Sequence, residues 1–189
     1  MMPILSTPKR APLEGLEGLM AGYQQTEEAA ARELIEKVTP LLLRYFLAQE
    51  AHRRWAEDLV QETWIRIHKA RHTHRPGEPV LPWVFAIARY TGLDHFRKTR
   101  RVEAREEQVE VLPERPAAES MQREGPHLDE LLEGLPASQR DVIVMLKVSG
   151  MSIEEVARAT ATSTGSVKQK AHRAYEALRA KWAAKVGKQ

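Results

Sequence analysis

Apolar positions along this chain of 189 residues recur at intervals of three and four, and no segment alternates with period two between turn signals. Leu34, Val38, Leu41, Leu42 and Tyr45 form one helical stripe, with Pro40 marking a kink or a helix start within it. Val60, Trp64 and Ile67 form another over residues 55–70, while Asp58, Gln61, Glu62 and Ile65 share a different face of the same helix. Residues 72–82 hold three prolines and Gly77, which predicts a loop. Pro82 then suits a first helical turn, and a helix continues through Trp83, Phe85, Ile87, Leu93 and Phe96 to Arg101. Pro3, Pro8, Pro12, Gly15 and Gly18 give residues 1–25 the look of a flexible lead, with structure starting near Thr26. The fold class expected is all-α, in two small helical domains at 26–101 and 129–185. An acidic, proline-containing flexible linker at 102–128 joins them.

The strongest local signal lies in the second domain. Ser152 and Glu155 have the spacing of a capping box, which satisfies two of the unpaired backbone donors at a helix start. A second start signal stands at Ser163, after which Val167, Ala171, Ala174 and Leu178 form a buried stripe. Lys168, Gln169, His172 and Arg173 occupy the opposite face. Two helices joined by a tight turn make a helix-turn-helix, and the second places cationic and amide groups where they can read guanine and adenine edges. The same residues are also compatible with an ordinary helical hairpin whose polar face is solvated. Ala161 stands where a left-handed turn residue is usually Gly, so this turn is expected to be strained or differently wound.

The formal net charge of +3 hides an uneven distribution. Arg89, Arg97, Lys98, Arg100 and Arg101 form one basic block, and a second runs from Lys168 to Lys188. The stretch from Glu103 to Glu133 between them is predominantly acidic. The chain has no cysteine, which excludes disulfides and thiolate metal sites within it. Without a membrane-length apolar run or the apolar core of a signal peptide, a cytoplasmic location is expected. His68, His72, His74 and Glu78 straddle a helix end and a loop without a recognisable ligand pattern, and Asp94-His95 is no catalytic pair by itself. No catalytic residue, metal or cofactor is therefore assigned.

Three further motifs accompany the helix-turn-helix. They are Asp58-Leu59-Val60-Gln61-Glu62-Thr63-Trp64; Pro82 to Arg89 with Asp94-His95-Phe96-Arg97; and Leu135-Pro136-Ala137-Ser138-Gln139-Arg140. In this order and spacing, over roughly residues 26–182, the chain closely resembles the small extracytoplasmic-function group of the bacterial sigma-70 factors. The resemblance implies a four-helix second domain and a sigma factor that binds core RNA polymerase and directs it to promoter DNA. It places Asp58, Gln61 and Glu62 against the coiled coil of the β′ clamp. Arg89, Tyr90, Arg97, Lys98, Arg100 and Arg101 fall at the −10 region, where cations neutralise phosphates and aromatics support an unstacked base. Trp83, Phe85 and Phe96 are read first as core residues. Thr164, Ser166, Lys168, Gln169, His172 and Arg173 face the −35 major groove, with Arg140 near the phosphate backbone.

Two departures from the family pattern stand out. Tyr90 replaces the Asn that commonly follows the Ala-Arg pair, and Thr160-Ala161-Thr162 replaces a Leu-Gly-Ile turn, which leaves the docking angle of the recognition helix open. The resemblance also implies an anti-sigma partner, often membrane-bound in relatives, and likens the acidic linker to one that threads the RNA channel of polymerase. The competing reading is a free-standing helix-turn-helix regulator, which leaves the Asp58 to Glu62 ridge and the Trp83 helix without a purpose.

Overall fold

A computed structural model describes residues 14–49, 51–106 and 132–186, with side chains outside 102–106 and 184–186. All regular structure among them is helical. The first domain contains α1 (Leu16–Gln24), α2 (Glu28–Leu47), α3 (Ala56–Ala70) and α4 (Val80–Glu106). The second contains α5 (Ala137–Ile143), continued by a π-helical turn at Val144–Val148, then α6 (Ile153–Thr160) and α7 (Thr164–Val186).

The flexible lead expected at 1–25 is corrected by α1 at Leu16–Gln24, and residues 1–13 lie outside the described residues. Leu16, Leu19, Met20 and Tyr23 recur at helical spacing; Leu16, Met20 and Tyr23 are buried and Leu19 packs beside them. Gly22 lets α1 and α2 approach, because a Cβ there would lie 2.7 Å from that of Ala30. Pro40 lies inside α2 and does not end it. The linker expected at 102–128 also begins late, since α4 continues through Glu106. The rest of that linker lies outside the described residues. Glu57 and Asp58 occupy the first turn of α3, and His68 and Lys69 the last, matching the sign of the helix dipole at each end.

One core runs through both domains. Phe46, Phe85, Leu34, Leu42, Leu59 and Ile67 are fully buried in the first, and Val142, Val144, Met145, Val156 and Val167 in the second. Tyr45 packs edge-on against Phe46 and Phe85, with ring centroids 5.2 and 5.4 Å apart. The domains touch along two seams: α4 packs against α6, and α2 against the π turn.

In the helix-turn-helix, both capping-box bonds form. Glu155 N–H donates to Ser152 Oγ at 3.2 Å, and Ser152 N–H donates to Glu155 Oε2 at 2.6 Å. Ala161 adopts the left-handed conformation at φ 52°, as its position in the turn predicts. Its N–H and that of Thr162 reach back to the carbonyls of Arg158 and Ala157, the pairing of a Schellman cap. The threonines brace the turn: Thr160 Oγ1 donates to the Val156 carbonyl at 2.7 Å and lies 2.9 Å from Thr162 Oγ1.

Left-handed backbone costs an L-residue about 1–2 kcal/mol, partly offset by the lower unfolded-state entropy of alanine relative to glycine. Ala161→Gly should therefore stabilise the chain by about 0.5–1 kcal/mol, whereas Ala161→Val should destabilise it by more than about 1 kcal/mol. Urea unfolding followed by circular dichroism measures both; a lower midpoint for the glycine variant would contradict the strain.

Candidate nucleic-acid and partner interface

The α3 ridge carries Asp58 and Gln61 exposed and Glu62 half-buried. Glu62 is already engaged: Arg66 Nε donates to its Oε1 at 2.7 Å. The same guanidinium donates to Asp94 Oδ2 at 2.7 Å, and Lys98 Nζ lies 3.1 Å from that oxygen. Arg66 and Lys98 together hold the Asp94 carboxyl below its usual range, and Glu62 and Asp94 raise the Arg66 guanidinium. Arg66 also lies over the Tyr90 ring, 5.4 Å from its centroid. The polar ridge of α3 is thereby tied to α4 through Arg66 and Asp94. Neither was assigned a role in the sequence reading, although Glu62–Arg66 and Asp94–Lys98 both have the spacing of helical ion pairs.

Tyr90 is 59% exposed, and Arg97, Lys98, Arg100 and Arg101 reach solvent along the second half of α4. Phe85 belongs to the core as expected, and Trp83 is partly buried against His74. Phe96 differs from the expectation, being 41% exposed with the Arg100 guanidinium 5.6 Å from its centroid. Arg89 is not free at the surface. Its Nε lies 3.5 Å from Asp141 Oδ2, across the domain boundary.

Asp141 is itself largely buried, and its other oxygen accepts Tyr45 Oη at 2.9 Å and Gln49 Nε2 at 2.5 Å. Burial raises its carboxyl above the usual range despite three partners that favour the charged form. The Tyr45 hydroxyl is pushed well above its usual range, first by burial and then by the adjacent Asp141.

On the second domain, Thr164, Lys168, Gln169, His172 and Arg173 are exposed and Ser166 half-buried. Ser163 caps this helix, its Oγ accepting from Ser166 N–H at 3.1 Å. Val167, Ala171 and Ala174 face inward, so the recognition face points to solvent. His172 lies 3.4 Å from Glu176, one turn further on.

Arg140 is placed otherwise than the resemblance implies. It is only 4% exposed, and its guanidinium donates to the Leu135 carbonyl at 3.0 Å, so it braces the turn before α5 and is not presented to a phosphate. Lys181 donates to the Glu133 carbonyl. His68, His74 and Glu78 each have a different partner. His68 pairs with the Tyr23 hydroxyl, His74 packs on Trp83, and Glu78 meets Arg158. Among the described residues no cluster of three or more His, Asp or Glu converges to hold a metal.

A capped helix-turn-helix with an exposed polar and cationic face on its second helix, beside a helix lined with arginines, defines the class of DNA-binding helix-turn-helix proteins. The family models for sigma-70 region 2 and sigma-70 region 4 match residues 34–102 and 127–178. The chain is 33% identical to the extracytoplasmic-function sigma factor SigD of Mycobacterium tuberculosis, covering 88% of this chain and 83% of the relative. It is 32% identical to SigF of Caulobacter vibrioides, covering 86% and 91%. RpoE of Bartonella quintana, solved with the anti-sigma factor NepR, superposes with a TM-score of 0.61 at 26% identity, over 78% of this chain and 93% of that one. CnrH, solved with the cytosolic domain of CnrY, has the same fold at a TM-score of 0.64 and 24% identity, over 89% and 97%. The chain belongs to the extracytoplasmic-function sigma factors of the sigma-70 family. It binds RNA polymerase and supports promoter-directed transcription initiation.

Truncating the buried Arg140 should cost about 1–3 kcal/mol, through lost packing of its stem and the loss of a donor to a buried carbonyl. Thermal unfolding of Arg140→Ala checks this. The salt dependence of promoter binding should keep its slope, because no phosphate contact is removed.

Proposed function

We propose that three solvent-facing surfaces divide the work of initiation. Asp58 and Gln61, flanked by Glu62, contact the β′ clamp coiled coil. Tyr90, Arg97, Lys98, Arg100 and Arg101, with Arg89 once it is freed, engage the −10 element. Thr164, Ser166, Lys168, Gln169, His172 and Arg173 engage the −35 element. The observation that carries this reading is the outward face of α7, which keeps its amide and cationic groups exposed while the inner stripe is buried. Phosphate contacts set register and affinity, and bidentate side chains such as Gln169 supply sequence preference.

The protein acts as a binding factor in the cytoplasm, without catalytic chemistry of its own. Among the described residues no helix is long and apolar enough to cross a membrane. An anti-sigma partner, as in the structure of RpoE with NepR, is part of the same reading.

Asp58→Ala combined with Gln61→Ala should weaken binding to core polymerase while helicity and melting stay nearly unchanged. Exposed substitutions of this kind shift stability by no more than about 0.5 kcal/mol. Fluorescence anisotropy with core enzyme tests it, and unchanged affinity of the folded double variant rejects the ridge.

Gln169→Ala should relax preference at one −35 position, worth about 1–3 kcal/mol against the wrong base. Selection from a library randomised at −35, with holoenzyme, reads the preference directly. Identical logos for wild type and variant would remove Gln169 from base reading.

A further inference from the structure

We propose that Arg66 is a positioning residue shared by two working surfaces of the first domain. One guanidinium fixes the Glu62 carboxylate on the polymerase ridge and the Tyr90 ring on the −10 surface, and the base preference Tyr90 exerts depends on that hold. This rests on the assignment of Glu62 and Tyr90 to those surfaces.

The guanidinium lies between two helices with both of its edges used. Nε donates to Glu62 Oε1 at 2.7 Å, one turn earlier on α3, and Nη2 donates to Asp94 Oδ2 at 2.7 Å on α4. The same group lies 5.4 Å from the centroid of the Tyr90 ring, one turn before Asp94 on α4, so it spans successive turns of that helix. The Arg66 and Asp94 side chains are 24% and 28% exposed, whereas Tyr90 is 59% exposed. A partly buried ion pair thus carries an exposed ring. The planar fork of arginine meets two carboxylates and a ring at once, which the point charge of a lysine ammonium does not do with the same directional hold.

Charge points the same way. In this cluster the carboxylates of Glu62 and Asp94 answer the cations of Arg66 and Lys98, so Arg66 is committed to its own chain. Its route to DNA is then through Tyr90. An aromatic ring acts through its face and its edge, so the plane in which it is held decides which part of a base it can contact. A ring already held also loses less freedom when the base arrives.

Full-length Arg66→Lys, Tyr90→Leu and the double variant would each be combined with core polymerase. Each holoenzyme would select from a promoter randomised at −10, with its −35 element fixed as the wild type chooses it. Lysine keeps the charge, and partly exposed ion pairs contribute little to stability, so melting should stay near the wild type. Tyr90→Leu should alter preference at particular −10 positions. Arg66→Lys should weaken preference at those same positions about two- to fivefold, and the double variant should add nothing to Tyr90→Leu alone. In anisotropy with core enzyme, Arg66→Lys should bind about two- to fivefold more weakly through the loosened Glu62, and Tyr90→Leu should bind as the wild type does. Asp94→Asn, which weakens the α4 anchor of the guanidinium and leaves Arg66 in place, should alter the same −10 positions and serves if Arg66→Lys does not fold.

Wild-type logos for Arg66→Lys and Asp94→Asn beside a changed one for Tyr90→Leu overturn the hold on Tyr90, as do additive effects in the double variant. Wild-type core affinity of Arg66→Lys overturns the hold on Glu62. A wild-type logo for Tyr90→Leu, or wild-type core affinity for Glu62→Ala, defeats the surface assignment itself and is seen separately, because both variants keep Arg66.

Discussion

Burial of the first half of α4 is the constraint on which the rest of the molecule depends. Val80, Leu81, Val84, Phe85 and Ala88 are withdrawn from water, and the helix touches α1, α2, α3 and α6. Fully burying side chains of this size favours the packed state by about 1.5–3 kcal/mol each, which fixes the direction of the helix axis. The second half of the same helix then has little choice. It projects from the packed core with Leu93, Phe96 and the arginines at its surface, in the direction the first half dictates. A rigid anchored helix holds its charged groups in register more accurately than a loop of the same composition would.

Periodicity made most of the helices legible. Residues 55–70 read as a helix because apolar positions recur at three and four, and α3 occupies nearly that span. The helix-turn-helix was legible for a different reason: its capping box and turn are local, so three or four neighbouring residues encode them. Helix α1 was hidden by the preceding prolines with Gly15 and Gly18, which read as flexibility although the apolar spacing of Leu16, Leu19, Met20 and Tyr23 was present. Phe96 and Arg140 defeated the residue-type rule in opposite directions. Whether a Phe is buried depends on what packs beside that turn of helix, and whether an Arg is exposed depends on a carbonyl five residues earlier. Neither is a property of the residue alone.

The contacts that no local pattern encodes are those between domains. Tyr45 and Gln49 meet Asp141 from more than ninety positions away in sequence. An isolated Asp in the second half of a short helix reads as a solvated charge, and only the tertiary structure reveals three convergent donors. The same applies to Arg66. Its pairing with Glu62 was visible as a helical interval, whereas its reach across to Asp94 and Tyr90 required the packing of α3 on α4. Charge counts therefore overstate what a basic helix offers to DNA, because part of its charge is answered within the chain.

The energetics of such a seam separate the specificity of docking from its strength. With Asp141 largely buried and the Arg89 side chain 38% exposed, Coulomb attraction and hydrogen bonds give back much of what desolvation of the carboxylate costs, so the net contribution of the pair to docking is small. The raised carboxyl of Asp141 carries the sign of that balance, since burial outweighs the attraction of Arg89, Tyr45 and Gln49 for its charge. Removing the carboxylate alone is a different matter, because Tyr45 and Gln49 stay buried without their acceptor, at a cost of about 1–3 kcal/mol. The seam is consequently specific without being strongly adhesive: it rejects other registers of docking while asking little free energy to separate as a whole. Separation rehydrates all four groups together, so no orphan charge is left behind.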